Sequence, residues 1–270
     1  MHFDAHVHTA ASPDSQLPAR VAVDTLARQN LGVAFTEHCD FVTQTVGRDF
    51  SAADVPRIAG DFMVDFARFD RECRPLRSDS VLLGLEFTLS AAFLPLNTTT
   101  AAQDWDYVLG AVHTVDGLDL FHEAQYQEPA SLARRYLTYA REMVELCGFF
   151  DALAHIDYIC RYATGVAEIF RYENFPGEFD GLLRAVGERG LALEINTKRF
   201  GDAANRRALF PLYERFAQLG GRYVTIGSDA HTADWLGKYY KEALQLAREA
   251  GLAVVYFKER KRFPCEGMGW

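Results

Sequence analysis

Short apolar runs alternate with longer amphipathic ones along the chain. The short runs are His2 to His6, Gly32 to Thr36, Val81 to Glu86, Tyr107 to Val112, Phe150 to His155, Leu191 to Ile195 and Tyr223 to Gly227, with Leu252 to Phe257 as a candidate eighth. Their length and composition predict strands. Helical patterning fills the intervals, over Leu17 to Asn30, Ala52 to Arg74, Pro129 to Cys147, Phe179 to Glu188, Ala203 to Leu219 and Leu236 to Ala250. Pro129 suits a first helical turn, and Gly32 is a candidate cap for the first helix. Gly148, Gly220 and Gly251 follow three of the later helices.

Strands alternating with helices predict a parallel sheet with crossover helices. Seven or eight such units in 270 residues suit a closed α/β barrel better than an open doubly wound sheet, and no GxGxxG or P-loop sequence supports the open alternative. One domain spanning 1–270 is expected, since no linker or repeat divides the chain.

Composition narrows the function. Apolar residues make up 49% and charged residues 24%, which is ordinary for a globular chain. Lys plus Arg is 28 against 37 for Asp plus Glu, a formal charge of −9, so bulk nucleic-acid binding is disfavoured. The five cysteines form no CxxC pair, the N-terminal MHFDAHVHT has neither a basic nor an apolar leader region, and no apolar run has membrane-spanning length. A cytoplasmic protein with reduced, structural thiols is expected.

The histidines carry the chemistry. His6, His38, His113, His155 and His231 fall at or just after the C-terminal end of a predicted strand, and His8 is two residues beyond His6. Asp4, Glu37, Glu86 and Asp229 fall there too. In a barrel those ends ring one face, so residues distant in sequence converge. Any one such histidine is readily explained as a hydrogen-bonded structural residue; six at the same end of successive strands are not. Imidazoles with carboxylates form the donor set of zinc, manganese or iron. His6 and His8, two apart in a strand, share a face and can reach one ion.

The motifs Asp4-Ala5-His6-Val7-His8-Thr9, Thr36-Glu37-His38, Gly84-Leu85-Glu86, Gly110-Ala111-Val112-His113, Ala154-His155-Ile156-Asp157 and Gly227-Ser228-Asp229-Ala230-His231 occur in the order of the PHP (polymerase and histidinol phosphatase) superfamily of metal-dependent phosphoesterases, which the chain resembles over nearly its whole length. The resemblance implies a distorted (βα)7 TIM-like barrel holding two to three divalent ions. It implies His6, His8, Asp14, His38, Glu86, His113, His155, Asp229 and His231 as metal ligands, with Asp229 and His231 also catalytic. Asp4 and Glu37 are expected to orient ligand imidazoles.

Within that superfamily the chain resembles the stand-alone histidinol-phosphate phosphatases, in length and in the segments Leu153 to Tyr162 and Leu193 to Thr197. Arg161, near the end of the first segment, and Arg199, and less strongly Lys198, after the second suit phosphate capture. The implied activity is hydrolysis of L-histidinol phosphate to L-histidinol and phosphate in histidine biosynthesis, by an ion-activated hydroxide. No GxSxG elbow offers a protein nucleophile. Phe41 to Asp54 and Thr114 to Glu128 are candidate substrate-covering loops, with Phe41, Phe121, His122 and Tyr126 placed to meet an imidazole ring. Another small phosphate ester stays open as substrate, because the metal motifs are shared. A nuclease is disfavoured by the acidic balance, and a non-enzymatic binding module by the intact ligand set.

Overall fold

The computed structural model describes residues 1–41, 62–124 and 127–265. Its framework is seven parallel strands, β1 (His2–Val7), β2 (Leu31–Asp40), β3 (Val81–Thr88), β4 (Tyr107–Ala111), β5 (Ala152–Leu153), β6 (Ala192–Asn196) and β7 (Tyr223–Gly227), each paired with the next. The two outer strands also meet. The Asp229 N–H donates to the His6 carbonyl at 2.8 Å and the His8 N–H to the Ala230 carbonyl at 2.9 Å, with Val7 bridging Ala230 in the parallel sense. This join lies at the end where the histidines gather. At the opposite end of β7, Tyr223 and Val224 pair with β8 (Ala253–Lys258), the expected eighth strand, which turns back antiparallel into β9 (Lys261–Pro264).

The strands are buried on both faces, which is why they read as near-continuous apolar runs. One face packs under helices, with Val33, Phe35, Leu83, Leu85 and Leu193 in the cluster that also holds Leu26, Tyr136, Phe179 and Leu212. The other carries a smaller cluster of Phe3, Ala5, Ala34, Leu82, Tyr107, Leu109, Ala152 and Ala192. By strand alternation His38, Glu86, His113 and Glu194 share that inner face.

β1 breaks the alternation once. Asp4 lies beside Val33 and Val7 beside Phe35, three steps on β1 against two on β2. This bulge puts Asp4 on the opposite face from His6 and His8, which by unbroken alternation it would share with them.

Several elements differ from expectation. The helix α1 (Ala19–Ala27) ends at Arg28, and Asn30 takes the left-handed turn at φ 59°. Gly32 instead lies inside β2, where a Cβ would meet the Phe3 ring at 2.4 Å. Of the helix expected from Ala52 to Arg74, positions 52–61 lie outside the described residues. Phe62–Met63 pairs antiparallel with Cys39 and Asp40, and α2 (Phe66–Glu72) begins after an Asp65 cap. α3 (Leu94–Ala101) forms where no helix was expected. α4 (Pro129–Leu146) and α5 (Pro176–Glu188) both open on proline, and α6 (Ala203–Gln218) ends before a left-handed Gly220. α7 (Tyr240–Glu249) starts later than Leu236 because Gly237 and Tyr239 have positive φ.

Candidate metal centre

The join between β1 and β7 sets His6 and His8 against Asp229. The His6 Nδ1 lies 2.7 Å from Glu194 Oε1, and a carboxylate can only accept, so the proton is on Nδ1. The His8 Nδ1 lies 3.2 Å from Ser12 Oγ, whose own hydrogen is donated to Glu37 Oε2 at 2.7 Å. Ser12 therefore accepts, and His8 also carries its proton on Nδ1. The two Nε2 atoms face each other 3.0 Å apart. Two lone pairs at that distance need a cation between or beside them. Burial works to lower the His6 pKa, but Glu194, Glu86 and Asp229 raise it well above the ordinary value. Burial and the neighbouring histidines push His8 well below it.

Glu86 sits among the imidazoles, fully buried. Its Oε1 lies 2.7 Å from His155 Nε2, 3.4 Å from His113 Nε2 and 3.5 Å from His6 Nε2, and its Oε2 is 2.9 Å from His38 Nδ1. Burial opposes its charge, but His6, His113 and His38 outweigh that and hold the carboxyl well below the usual range. His113 Nδ1 is held by Thr88 Oγ1 at 2.8 Å and Asp40 Oδ2 at 3.1 Å, leaving Nε2 turned to Glu86. His231 Nδ1 donates to the Asp229 carbonyl at 3.0 Å. That carbonyl is presented by a left-handed Asp229, φ 55°.

The residues fit a divalent metal. Donor atoms of His6, His8 and Glu86, of His6, His155 and Asp229, of His8, His38 and His231, and of Glu86, His113 and His155 form triads whose members lie within 4.8 Å of one another. His38 Nδ1 and Glu86 Oε2, buried 2.9 Å apart, do not meet with hydrogen-bond geometry, and neither has a hydrogen-bond partner among the described residues. Such a nitrogen-rich, carboxylate-containing set suits zinc, manganese or iron.

The fold brings eight of the nine expected ligands into these triads. Asp14 stands at the rim, its Oδ2 3.0 Å from His231 Nε2 and 3.4 Å from His38 Nε2. Glu37 reaches His8 only through Ser12. Asp4 departs from expectation: it touches no imidazole but accepts from Ser228 N–H, Ser228 Oγ–H and Gly237 N–H, because the β1 bulge turns it to the other face. Arg161 reaches the cluster, donating to Asp229 Oδ2 at 2.7 Å and Asn196 Oδ1 at 3.1 Å. Arg199 is turned away and tied to Asp157 and Asn205, while the Lys198 ammonium donates to the Asp229 carbonyl at 2.8 Å. Of the loop residues, Phe41 is buried against Phe93 and Phe121 stands exposed against Tyr162; positions 42–54 and Tyr126 lie outside the described residues. The sequence reading missed Glu194, Asn196, Asp40 and Ser12.

A model of the PHP domain matches residues 4–198. A Clostridium acetobutylicum protein named "Probable histidinol-phosphatase" is 34% identical over 96% of this chain and 98% of its own length. The histidinol-phosphatase of Lactococcus lactis subsp. lactis is 28% identical over 92% of this chain and 91% of its own. The crystal structure of histidinol phosphate phosphatase from Lactococcus lactis subsp. lactis, complexed with zinc, L-histidinol and phosphate, superposes with a TM-score of 0.83 at 25% identity, covering 97% of this chain and 98% of that one. With the family model spanning β1 to β6 and a relative aligned over nearly the full length, the chain belongs to the PHP domain family.

Proposed function

We propose that this chain is a metal-dependent phosphomonoesterase that hydrolyses L-histidinol phosphate to L-histidinol and phosphate, a step of histidine biosynthesis in the cytoplasm. The observation that carries the reading is the facing pair of Nε2 atoms on His6 and His8, ringed by Glu86 and Asp229. The activity of the relatives supplies the substrate.

In this reading His6, His8, His38, Glu86, His113, His155, Asp229 and His231, with Asp14 at the rim, hold two to three divalent ions, zinc, manganese or iron. Such ions supply positive charge for a phosphate and make water acidic enough to react near neutral pH. The protein's own contribution is orientation. Asp40 and the Asp229 carbonyl hold His113 and His231 with Nε2 inward. Arg161, anchored on Asp229, and Lys198, anchored on its carbonyl, bring two cations to the same edge of the cluster, where they receive the phosphate. The −9 charge of the whole chain disfavours long polyanions, so a small ester is the fitting partner. No helix among the described residues is long and apolar enough to cross a membrane.

The test is phosphate release by chelator-stripped protein, before and after addition of manganese or zinc, from histidinol phosphate, a panel of other small phosphate esters and single-stranded DNA. Metal-restored turnover that favours histidinol phosphate is expected, with DNA left intact. Faster turnover of another ester would move the substrate and leave the chemistry standing. Full activity without metal would overturn the reading.

A further inference from the structure

Glu194 lies outside the donor triads, yet it is fully buried beside them and every group that meets its carboxylate is a donor. Oε1 takes the His6 Nδ1–H at 2.7 Å. Oε2 takes the His155 backbone N–H at 2.8 Å and the Asn196 Nδ2–H at 3.0 Å. The bond to Asn196 fixes which way that amide points. With Nδ2 turned to Glu194, Oδ1 faces Arg161 Nη2 at 3.1 Å and the Lys198 N–H at 3.0 Å. The close approach depends on Gly227, where a Cβ would stand 2.3 Å from Glu194 Oε1 and 2.4 Å from the His6 Cβ.

We propose that Glu194 is a positioning residue with two outputs: it fixes His6 in the tautomer that turns Nε2 toward a metal, and through Asn196 it orients Arg161 toward the bound phosphate. The second output rests on the phosphatase reading above; the first concerns the metal alone.

The chemistry of the acceptor separates this role from simple packing. Three donors converge on Glu194, and a carboxylate satisfies all of them. A glutamine of the same shape offers one oxygen and one NH2, so one side must set donor against donor. If the NH2 faces His6, the imidazole is driven to the Nε2–H tautomer and loses its inward lone pair. If it faces the other way, the Asn196 amide loses its anchor, and Arg161 keeps its bond to Asp229 but loses the fixed carbonyl that orients its second Nη. Shape predicts that glutamine is the mild substitution; hydrogen-bond polarity predicts that it is the severe one.

The experiment compares Glu194→Gln, Glu194→Asp and Asn196→Ala, with metal affinity read by competition against a chromophoric chelator and the His6 tautomer read by long-range 1H–15N spectra of zinc-loaded protein. Glu194→Gln is expected to weaken metal binding by about 10- to 100-fold, the usual effect of losing a carboxylate behind a ligand imidazole. Glu194→Asp keeps an acceptor-only group and is expected to retain the His6 Nδ1–H signal and to bind metal more tightly than Glu194→Gln. Asn196→Ala is expected to leave that signal and metal affinity in place but to weaken inorganic phosphate binding by about tenfold, the worth of one charge-assisted hydrogen bond. Unchanged metal affinity in folded Glu194→Gln, or an aspartate variant that binds metal less well than the glutamine variant, would overturn the first output. Unchanged phosphate affinity in Asn196→Ala would overturn the second. Neither readout uses histidinol phosphate, so a wrong substrate assignment leaves this test standing.

Discussion

Arg161 donates to Asp229 Oδ2 at 2.7 Å, while Oδ1 of the same carboxylate lies 3.6 Å from ring nitrogens of both His8 and His231. One carboxylate is thus divided between a guanidinium and the imidazole cluster. The Arg161 charge is also what chiefly offsets burial in holding Asp229 well below the usual carboxylate range.

The division fixes what removing the arginine should do. Arg161→Ala is expected to lower kcat/KM for histidinol phosphate by about tenfold to more than a hundredfold, the worth of one or two charge-assisted hydrogen bonds. Metal content measured by elemental analysis should hold, since Oδ1 keeps its place. Arg161→Lys should recover only part of the loss, because one ammonium cannot bond Asp229, Asn196 and a phosphate in a plane. Unaltered kinetics in Arg161→Ala would place this side chain outside the working pocket.

His231 stacks on His8 with ring centroids 4.3 Å apart, and its side chain is 21% exposed. Deleting it opens a gap that water can fill, so the fold should survive. We expect His231→Ala to lose metal and at least about a hundredfold in rate, the effect of misplacing reacting groups by roughly 1 Å. Retained metal together with near-normal turnover would assign this histidine to the scaffold.

Gly227→Ala tests the crowded wall behind His6. The new methyl must displace either the Glu194 carboxylate or the His6 Cβ. Overpacking of this kind costs about 1–3 kcal/mol. A lower urea midpoint accompanied by weaker metal binding is expected; a wild-type midpoint would mean the wall yields freely.

At the opposite end of the barrel, Asp106 is fully buried and accepts from the Leu83 and Glu259 N–H groups and from Arg77 Nε and Nη2. Arg77→Ala removes its only cationic partner among these donors. A loss of roughly 2–3 kcal/mol in denaturant unfolding is expected, with metal affinity unaltered. A change in metal binding would show that the two ends of the barrel are coupled.

The parts legible in the sequence are those with a fixed period. Two-residue spacing placed His6 and His8 on one face, and apolar runs located the seven strands. The bulge between Asp4 and Val7 has no such mark, so Asp4 was expected to orient a ligand imidazole, whereas it faces Ser228 and Gly237. Asp40 was missed because the second strand was ended at Thr36, whereas it runs to Asp40; carried on, the period-two rule puts Asp40 beside His38. Glu194 did leave a signal: a carboxylate between Leu193 and Ile195 in a strand buried on both faces must have donors waiting for it. Beyond the strand end alternation stops helping, which is why Arg199 was favoured over Lys198 as the residue facing the cluster.

The hydrogen bonds joining Asp229 and Ala230 to His6 and His8 have a consequence for how the molecule comes into being. Groups from the first and seventh strands become neighbours only after nearly the whole chain has been laid down, a contact of very long sequence separation whose loop-closure entropy must be overcome first. While the nascent chain still lacks β7, His6 and His8 have neither Asp229 nor His231 beside them. Full-strength ion capture should therefore be among the last events of folding, and a slow-appearing metal signal during refolding would time the arrival of the final strand.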